Sequence, residues 1–306
     1  MKIVVTGATG FIGQALVPAL RARGDEIVVL SRSAARAQQA LGDVTAVTAN
    51  LEVPGPWAAS LAGAGAVIHL AGESVGGKRW DARQKQIIRD SRIESTRVLT
   101  EAIGALPAAD RPRVLVSASG TDYYPFALDT DDFDDDEVTE ADPPGDSFLA
   151  RVCRDWEKEA LAAEALGVRV VIMRTGIVLG PGGALDKMTT PFKLFVGGKL
   201  GSGRQWMPWI HRDDVVAAYL AATTDERYRG PINLVRGSVR NAEFSRALGA
   251  ALGRPSWLPV PGFAIKAAVG EFAEYVLKGR RVVPKRLEAL GFPWQRGQLA
   301  DALKHL

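Results

Sequence analysis

The chain has 306 residues, 47% of them hydrophobic and 24% charged, enough for one large or two modest domains with a sizeable core. Its 38 Lys and Arg against 35 Asp and Glu leave a formal charge of +3, a mixed solvated surface that argues against a nucleic-acid partner. The lone cysteine, Cys153, excludes disulfides within the chain. With no secretory leader and no uncharged apolar run near the roughly 18 residues of a membrane span, a cytoplasmic protein without a membrane partner is expected.

In chain order, Lys2 to Thr6 is a β-branched run that predicts a buried strand, Gly7 to Gly13 a turn, and Phe11 to Arg23 a helix with Leu16 and Leu20 on one face. Further strands are predicted at Glu26 to Leu30, Val44 to Thr48, Ala66 to Leu70, Arg113 to Ser117 and Val168 to Arg174. Between them, helical spacing predicts one long helix over Ala82 to Ile103 and another over Ser147 to Leu166. Strands alternating with helices imply βαβ units. The expected fold is therefore an α/β, Rossmann-type, doubly wound parallel sheet over residues 1–180. Beyond Gly180-Pro181 the composition shifts, and residues 181–306 read as a smaller, mostly helical C-terminal lobe with a strand candidate at Ile232 to Val235. There Trp206, Met207, Trp209 and Trp257 are expected to fill a core, some of them walling a pocket. Asp129 to Glu137 carries seven acids in nine residues but lacks the central glycine of a calcium loop, so it reads as a solvated loop and no metal is expected.

The first chemical motif is Thr6-Gly7-Ala8-Thr9-Gly10-Phe11-Ile12-Gly13. It follows a strand and opens a helix, the context in which glycines let a backbone turn sharply, approach a pyrophosphate and pack a helix on a sheet. The helix start adds free N–H groups and a positive dipole end. At the end of the second strand, where an acid would read the ribose hydroxyl of NAD, stand Ser31, Arg32 and Ser33. An arginine flanked by two hydroxyls suits a 2′-phosphate, so NADP(H) is the expected cofactor.

These residues resemble the short-chain dehydrogenase/reductase superfamily in its extended, epimerase-like branch, and most closely an atypical NAD(P)-dependent group of epimerase family proteins likened to nucleoside-diphosphate sugar epimerases. The resemblance rests on Gly7, Gly10 and Gly13, on His69-Leu70-Ala71-Gly72-Glu73, Ser117-Ala118-Ser119, Cys153-Arg154-Asp155-Trp156-Glu157, Arg174-Thr175-Gly176 to Pro181, and Trp209-Ile210-His211-Arg212-Asp213-Asp214. It implies that Thr9, Phe11, Ile12, Leu70, Ala71, Gly72, Arg92 and Val178 join the glycines around the cofactor. It also implies an oxidoreductase or epimerase acting on a small molecule of unstated identity, with a sugar-like compound among the candidates, and a homodimer built on the helices near 82–103 and 147–166.

The superfamily's Tyr-x-x-x-Lys pair is absent. With Glu157 as anchor, Leu149 stands at the tyrosine position and Cys153 at the lysine position, and neither can exchange a proton as the pair does. Ser119 remains where the catalytic serine belongs, and Tyr123, or Tyr124 beside it, is a replacement acid if not simply structural. Glu73 is equally a base or a satisfied loop carboxylate. Cys153 reads as a core cysteine, His211 as a polar joint between lobes, and Lys278 to Arg281 as a solvated helix end. The rival expectation is a non-catalytic NADP(H)-binding regulator, linked by analogy to cell division.

Overall fold

The computed structural model describes residues 1–126 and 135–304. Among the described residues the strands are β1 (Lys2–Thr6), β2 (Glu26–Ser31), β3 (Thr45–Thr48), β4 (Ala66–His69), β5 (Val114–Gly120), β6 (Glu137–Val138), β7 (Arg169–Thr175), β8 (Ile177–Leu179), β9 (Trp206–His211), β10 (Gly230–Leu234), β11 (Gly237–Arg240) and β12 (Arg281–Val282). The helices are α1 (Gly13–Ala22), α2 (Ala34–Leu41), α3 (Ala82–Asp90), α4 (Ile93–Gly104), α5 (Phe148–Leu161), α6 (Gly183–Lys193), α7 (Arg212–Thr224), α8 (Asn241–Leu252), α9 (Gly262–Val269), α10 (Ala273–Leu277), α11 (Lys285–Ala289) and α12 (Leu299–Ala302).

Seven strands form one parallel sheet in the order β10-β7-β5-β4-β1-β2-β3. The order reverses between β1 and β4, and at such a switch point the loops at the carboxyl ends open a crevice. Alternation assigns the two faces: Ile3, Val5, Val114, Val116, Val171 and Met173 pack under α1 and α7, while Val4, Leu115, Val170 and Ile172 pack under α4 and α5. Burial on both faces is why these strands read as continuous apolar runs.

Three local expectations are corrected. The helix expected over Ala82 to Ile103 is broken at Ser91 and Arg92 into α3 and α4. Here Ser95 Oγ donates to the Ser91 carbonyl (2.7 Å) and Thr96 Oγ1 to the Arg92 carbonyl (2.6 Å), side-chain bonds that compete with the helical ladder. The helix expected to reach Leu166 ends at Leu161 and continues as a 3₁₀ stretch, Ala162–Leu166. The strand candidate at Ile232 to Val235 belongs to the main sheet instead of the second lobe: β10 pairs with β7 in parallel, Ile232 opposite Met173.

The second lobe is built on a three-stranded sheet, β11-β9-β8, with α6, α8 and α12 packed against it through Leu185, Phe192, Met207, Trp209, Phe244 and Leu248. Trp257, expected in that core, is 66% exposed. The short β6 pairs with β12, and Arg281 and Lys285 lie 3.4 and 3.3 Å from the Glu137 carboxylate. The earlier part of the acidic run falls outside the described residues.

Candidate active site

At the end of β1 the backbone itself demands glycine. Gly7 has φ +67°, and a Cβ there would lie 2.6 Å from the Leu70 carbonyl carbon; a Cβ at Gly13 would lie 2.3 Å from the Ala8 oxygen. Gly10 differs, because an added Cβ would meet only the Gly7 oxygen at 3.2 Å. Its lack of a side chain therefore leaves clear space before the start of α1, where Ile12 contributes no side-chain cap. An uncapped helix start facing open space fits the pyrophosphate of a dinucleotide. Thr9 lies exposed on this turn, its carbonyl accepting from Gln14 Nε2 at 2.9 Å.

The end of β2 brings Ser31, Arg32 and Ser33 to the start of α2. Ser31 Oγ accepts from Ser33 N (3.3 Å), and Ser33 Oγ caps the helix by accepting from Arg36 N (3.3 Å). Both hydroxyls act as acceptors here, so both keep a proton to donate outward, beside the exposed Arg32.

The loop after β4 is tied to β1 by a buried relay. Ala71 N donates to Thr6 Oγ1 (3.2 Å), which contacts His69 Nδ1 (2.8 Å), and His69 Nε2 contacts Thr96 Oγ1 (3.0 Å). Burial lowers the His69 pKa to about 4, so the imidazole is neutral and structural. The relay holds Leu70, Ala71 and Gly72 against the glycine turn. A Cβ at Gly72 would lie 3.2 Å from Arg92 Cζ, so the guanidinium packs on this loop, with its Nη1 donating to the Ile88 carbonyl (3.1 Å). The break between α3 and α4 serves this contact: it turns Ser91 and Arg92 toward the loop, and Ser91 Oγ accepts from Glu73 N at 3.0 Å.

A cavity of about 1000 Å³ opens between the main sheet and the second lobe. Phe11, Ile12, Gly72, Glu73, Arg92 and Val178 all line it, so the crevice that the glycine turn faces continues into the space walled by the second lobe. Ser119 and Tyr123 are engaged elsewhere. Ser119 Oγ donates to Glu157 Oε1 (2.6 Å), and Glu157 is held in a buried bidentate pair by Arg174, Nε to Oε1 at 2.9 Å and Nη2 to Oε2 at 2.8 Å. The Tyr123 ring lies 3.5 Å from the Arg174 guanidinium carbon. Tyr124 borders the cavity, but its hydroxyl accepts from Arg174 Nη1 (2.9 Å) and donates to Asn233 Oδ1 (2.6 Å), and burial pushes its pKa up to about 12. These bonds join β5, α5, β7 and β10 and make a framework beneath the site.

Leu149 and Cys153 stand where the tyrosine and lysine were sought. Leu149 is buried against Trp80 and Ile88, and burial pushes the Cys153 thiol up to about 12, which removes it as a nucleophile. Beside Cys153 stands a residue that the sequence reading missed, Asp122. A Cβ at Gly120 would meet Asp122 Oδ2 at 3.3 Å and Cys153 Sγ at 3.8 Å, so the small thiol and the missing side chain leave room for this carboxyl. Asp122 lines the cavity with Arg92, and burial, opposed by Arg92, raises its pKa to about 6. Burial likewise draws the Arg92 guanidinium below its usual value, against the pull of Cys153, Asp122 and Glu73. The arrangement is a carboxyl that can take up or release a proton near neutral pH, with a fixed cation beside it.

His211 keeps the joining role expected of it, and one further expectation shifts. His211 caps α7, its Nδ1 accepting from Asp213 N (3.2 Å), and so joins the lobes as a structural residue. The basic run at Lys278 is not a solvated helix end: Lys278, Gly279 and Arg280 wall the cavity and Arg281 begins β12.

The NAD dependent epimerase/dehydratase family matches residues 3–234, and a domain of unknown function (DUF1731) matches residues 260–306. The Arabidopsis thaliana epimerase family protein SDR39U1 homolog, chloroplastic, is 43% identical over 99% of this chain and 86% of its own length. Human epimerase family protein SDR39U1 (isoform 2), whose crystal structure was solved with NADPH, is 34% identical with a TM-score of 0.84, over 99% of this chain and 98% of that one. A nucleoside-diphosphate sugar epimerase from Corynebacterium glutamicum is 30% identical with a TM-score of 0.77, over 100% of this chain and 57% of that one. Among the described residues, no helix is long and apolar enough to cross a membrane.

Proposed function

Because the chain belongs to the NAD dependent epimerase/dehydratase family, we propose that it is an NADP(H)-dependent oxidoreductase of a small carbonyl or hydroxyl compound, with Asp122 as its acid/base. The glycine turn and the first turn of α1 take the pyrophosphate. Arg32, with Ser31 and Ser33, takes the 2′-phosphate and so prefers NADP(H) to NAD(H). Leu70 to Gly72, Arg92 and Val178 border the nicotinamide side. Bound NADPH supplies the hydride.

The observation that carries the reading is the Asp122 carboxyl in the cavity wall, beside Cys153 at the position that a lysine would fill. In reduction Asp122 gives its proton to the substrate oxygen and becomes a carboxylate, which Arg92 stabilises; in the reverse direction it takes the proton back. A group that titrates near 6 is well matched to work near neutral pH. Ser119 and Tyr123 hold Glu157 and Arg174, and through them the end of β5 that carries Asp122.

The test follows NADPH oxidation against a panel of aldehydes, ketones and sugar nucleotides over pH 5 to 8. The reading expects turnover with an apparent pKa near 6 that Asp122→Asn abolishes, with NADPH affinity kept. Turnover unchanged in Asp122→Asn would end the assignment. Tight NADPH binding with no turnover of any compound would make the chain the nucleotide-binding regulator, a reading that the committed Ser119 hydroxyl favours.

A further inference from the structure

Resting on that reading of the site, we propose that Tyr275 of α10 is a second catalytic residue, which donates a hydrogen bond to the same substrate oxygen that Asp122 protonates. The two groups meet one helix a single turn apart. Tyr275 Oη accepts from Leu149 N at 3.0 Å, at the position where a tyrosine was sought. Asp122 lies beside Cys153, where the lysine was sought. From Leu149 to Cys153 the rise along α5 is about 6 Å. Two donors that each bond one oxygen at about 2.7 Å stand at most about 5.5 Å apart, a spacing of the same order. Both residues line the cavity. The loop that carries Asp122 is also seated on Tyr275: the Phe126 ring meets the Tyr275 ring edge to face, with centroids 4.8 Å apart.

The bonding of Tyr275 leaves its proton for a ligand. Leu149 N is one of the free amides in the first turn of α5, and it donates to the phenol oxygen. Ser147, whose Oγ accepts from Ala150 N, bonds the same oxygen with its side chain. Accepting bonds at a helix start makes the phenol O–H a stronger donor. Burial raises the Tyr275 pKa above its ordinary 10; the bonds from Leu149 and Ser147 oppose this, and the charges of Asp122 and Glu274 add to it. Tyr275 therefore keeps its proton near neutral pH, and Asp122 is the group that gives one up. When the carbonyl carbon takes the hydride, the carbonyl π pair moves onto oxygen. The Asp122 proton goes to that oxygen, while the Tyr275 proton bonds it and stays on Tyr275. Ser119 does not supply this second bond, because its hydroxyl donates to Glu157. In this way the segment matched by DUF1731, residues 260–306, completes a site that the main sheet opens.

The experiment makes two measurements on the whole protein. The first compares Tyr275→Phe with Asp122→Asn on whichever aldehyde, ketone or sugar nucleotide of the panel oxidises NADPH fastest. Phenylalanine keeps the ring that packs on Phe126, Phe272 and Trp80, so this variant removes the hydroxyl alone. In Tyr275→Phe, kcat is expected to fall about a hundredfold, as on removal of one donor to a developing oxyanion, with KM and NADPH affinity changed less than about threefold. A hydroxyl that only caps α5 would lower the urea midpoint and leave kcat as it was; that result overturns the inference, and the Asp122 reading stands if Asp122→Asn is inactive. The second measurement needs no substrate: carbon NMR of protein labelled at tyrosine Cζ, with saturating NADP⁺, from pH 5 to 8. The Tyr275 signal, assigned by its loss in Tyr275→Phe, is expected to inflect near pH 6, where Asp122 titrates, and to flatten in Asp122→Asn. Turnover of no compound ends the enzyme reading. A flat Tyr275 signal in the unaltered protein overturns the inference by itself, with or without turnover.

Discussion

The loops after β1 and β5 open into the same crevice but are specified by different means. After β1 the turn is dictated by backbone geometry, with Gly7 pressed on Leu70 and Gly13 on Ala8. After β5 the work is done by side chains, and here the chain has exchanged them: Leu149 and Cys153 occupy the expected tyrosine and lysine positions, Ser119 serves Glu157, and Asp122 faces the cavity. A cradle made of backbone tolerates few substitutions. A proton donor can be replaced by any titratable group that reaches the same space, so binding is the more stubborn property of this fold and chemistry the more easily rewritten one.

The sharpest way to break this contrast is at the framework below β5. Glu157→Ala leaves the Arg174 guanidinium buried without its partner, and a loss of about 3–5 kcal/mol in urea unfolding is expected. A loss below about 1 kcal/mol would show that the pair does not hold the site. Next is the 2′-phosphate contact: Arg32→Ala should weaken NADPH by roughly tenfold to a hundredfold, as a charge-assisted bond implies, and leave NADH unchanged by calorimetry. Equal losses for both nucleotides would remove the preference. The glycine turn gives a paired test. Gly7→Ala, at φ +67° and against Leu70, should cost about 1–3 kcal/mol of stability. Gly10→Ala should cost about 1 kcal/mol or less, yet weaken NADPH about tenfold, or 1.4 kcal/mol.

The smallest effect is in pH. His69 has a folded pKa of about 4, below its ordinary 6.5, so the unfolded chain binds the extra proton and stability falls as pH drops from 6.5 to 4. Asp122, raised to about 6 from 3.8, has the opposite sign: its contribution is present at low pH and is lost as pH rises from 3.8 to 6. Between pH 4 and 6 the two offset each other. Asp122→Asn should uncover the His69 slope, at most roughly 1.4 kcal/mol per pH unit, measured as the shift of the urea midpoint across that range. Identical slopes in the two proteins would mean that Asp122 is not buried as described.

The parallel sheet was legible because strands buried on both faces appear as uninterrupted apolar runs, and the turn because its glycines sit between strand and helix. The place of β10 was not: Gly230-Pro231-Ile232-Asn233-Leu234 carries turn formers and a buried amide, and nothing local says that it crosses back to β7. The break between α3 and α4 has no glycine or proline to announce it. Asp122 lies outside the family pattern, whose positions in this stretch are held by Ser119 and Tyr123. It still had a signal, being the lone charged residue between Val114 and Phe126, at the carboxyl end of a parallel strand where ligands gather.

The return of the chain to the main sheet at β10 bears on how the molecule can be divided. The segment that walls the cavity, from β8 through β9, is threaded between two parts of a single sheet, so it is joined to its neighbour by two covalent crossings. Cutting at residue 180 would strip β7 of its neighbour and lay bare a row of unpaired amides and carbonyls on an apolar edge, a template for self-association. The same threading means that β7 waits for a partner more than fifty residues downstream, a pairing that closes late in synthesis, and until then the nucleotide half remains an open-edged sheet.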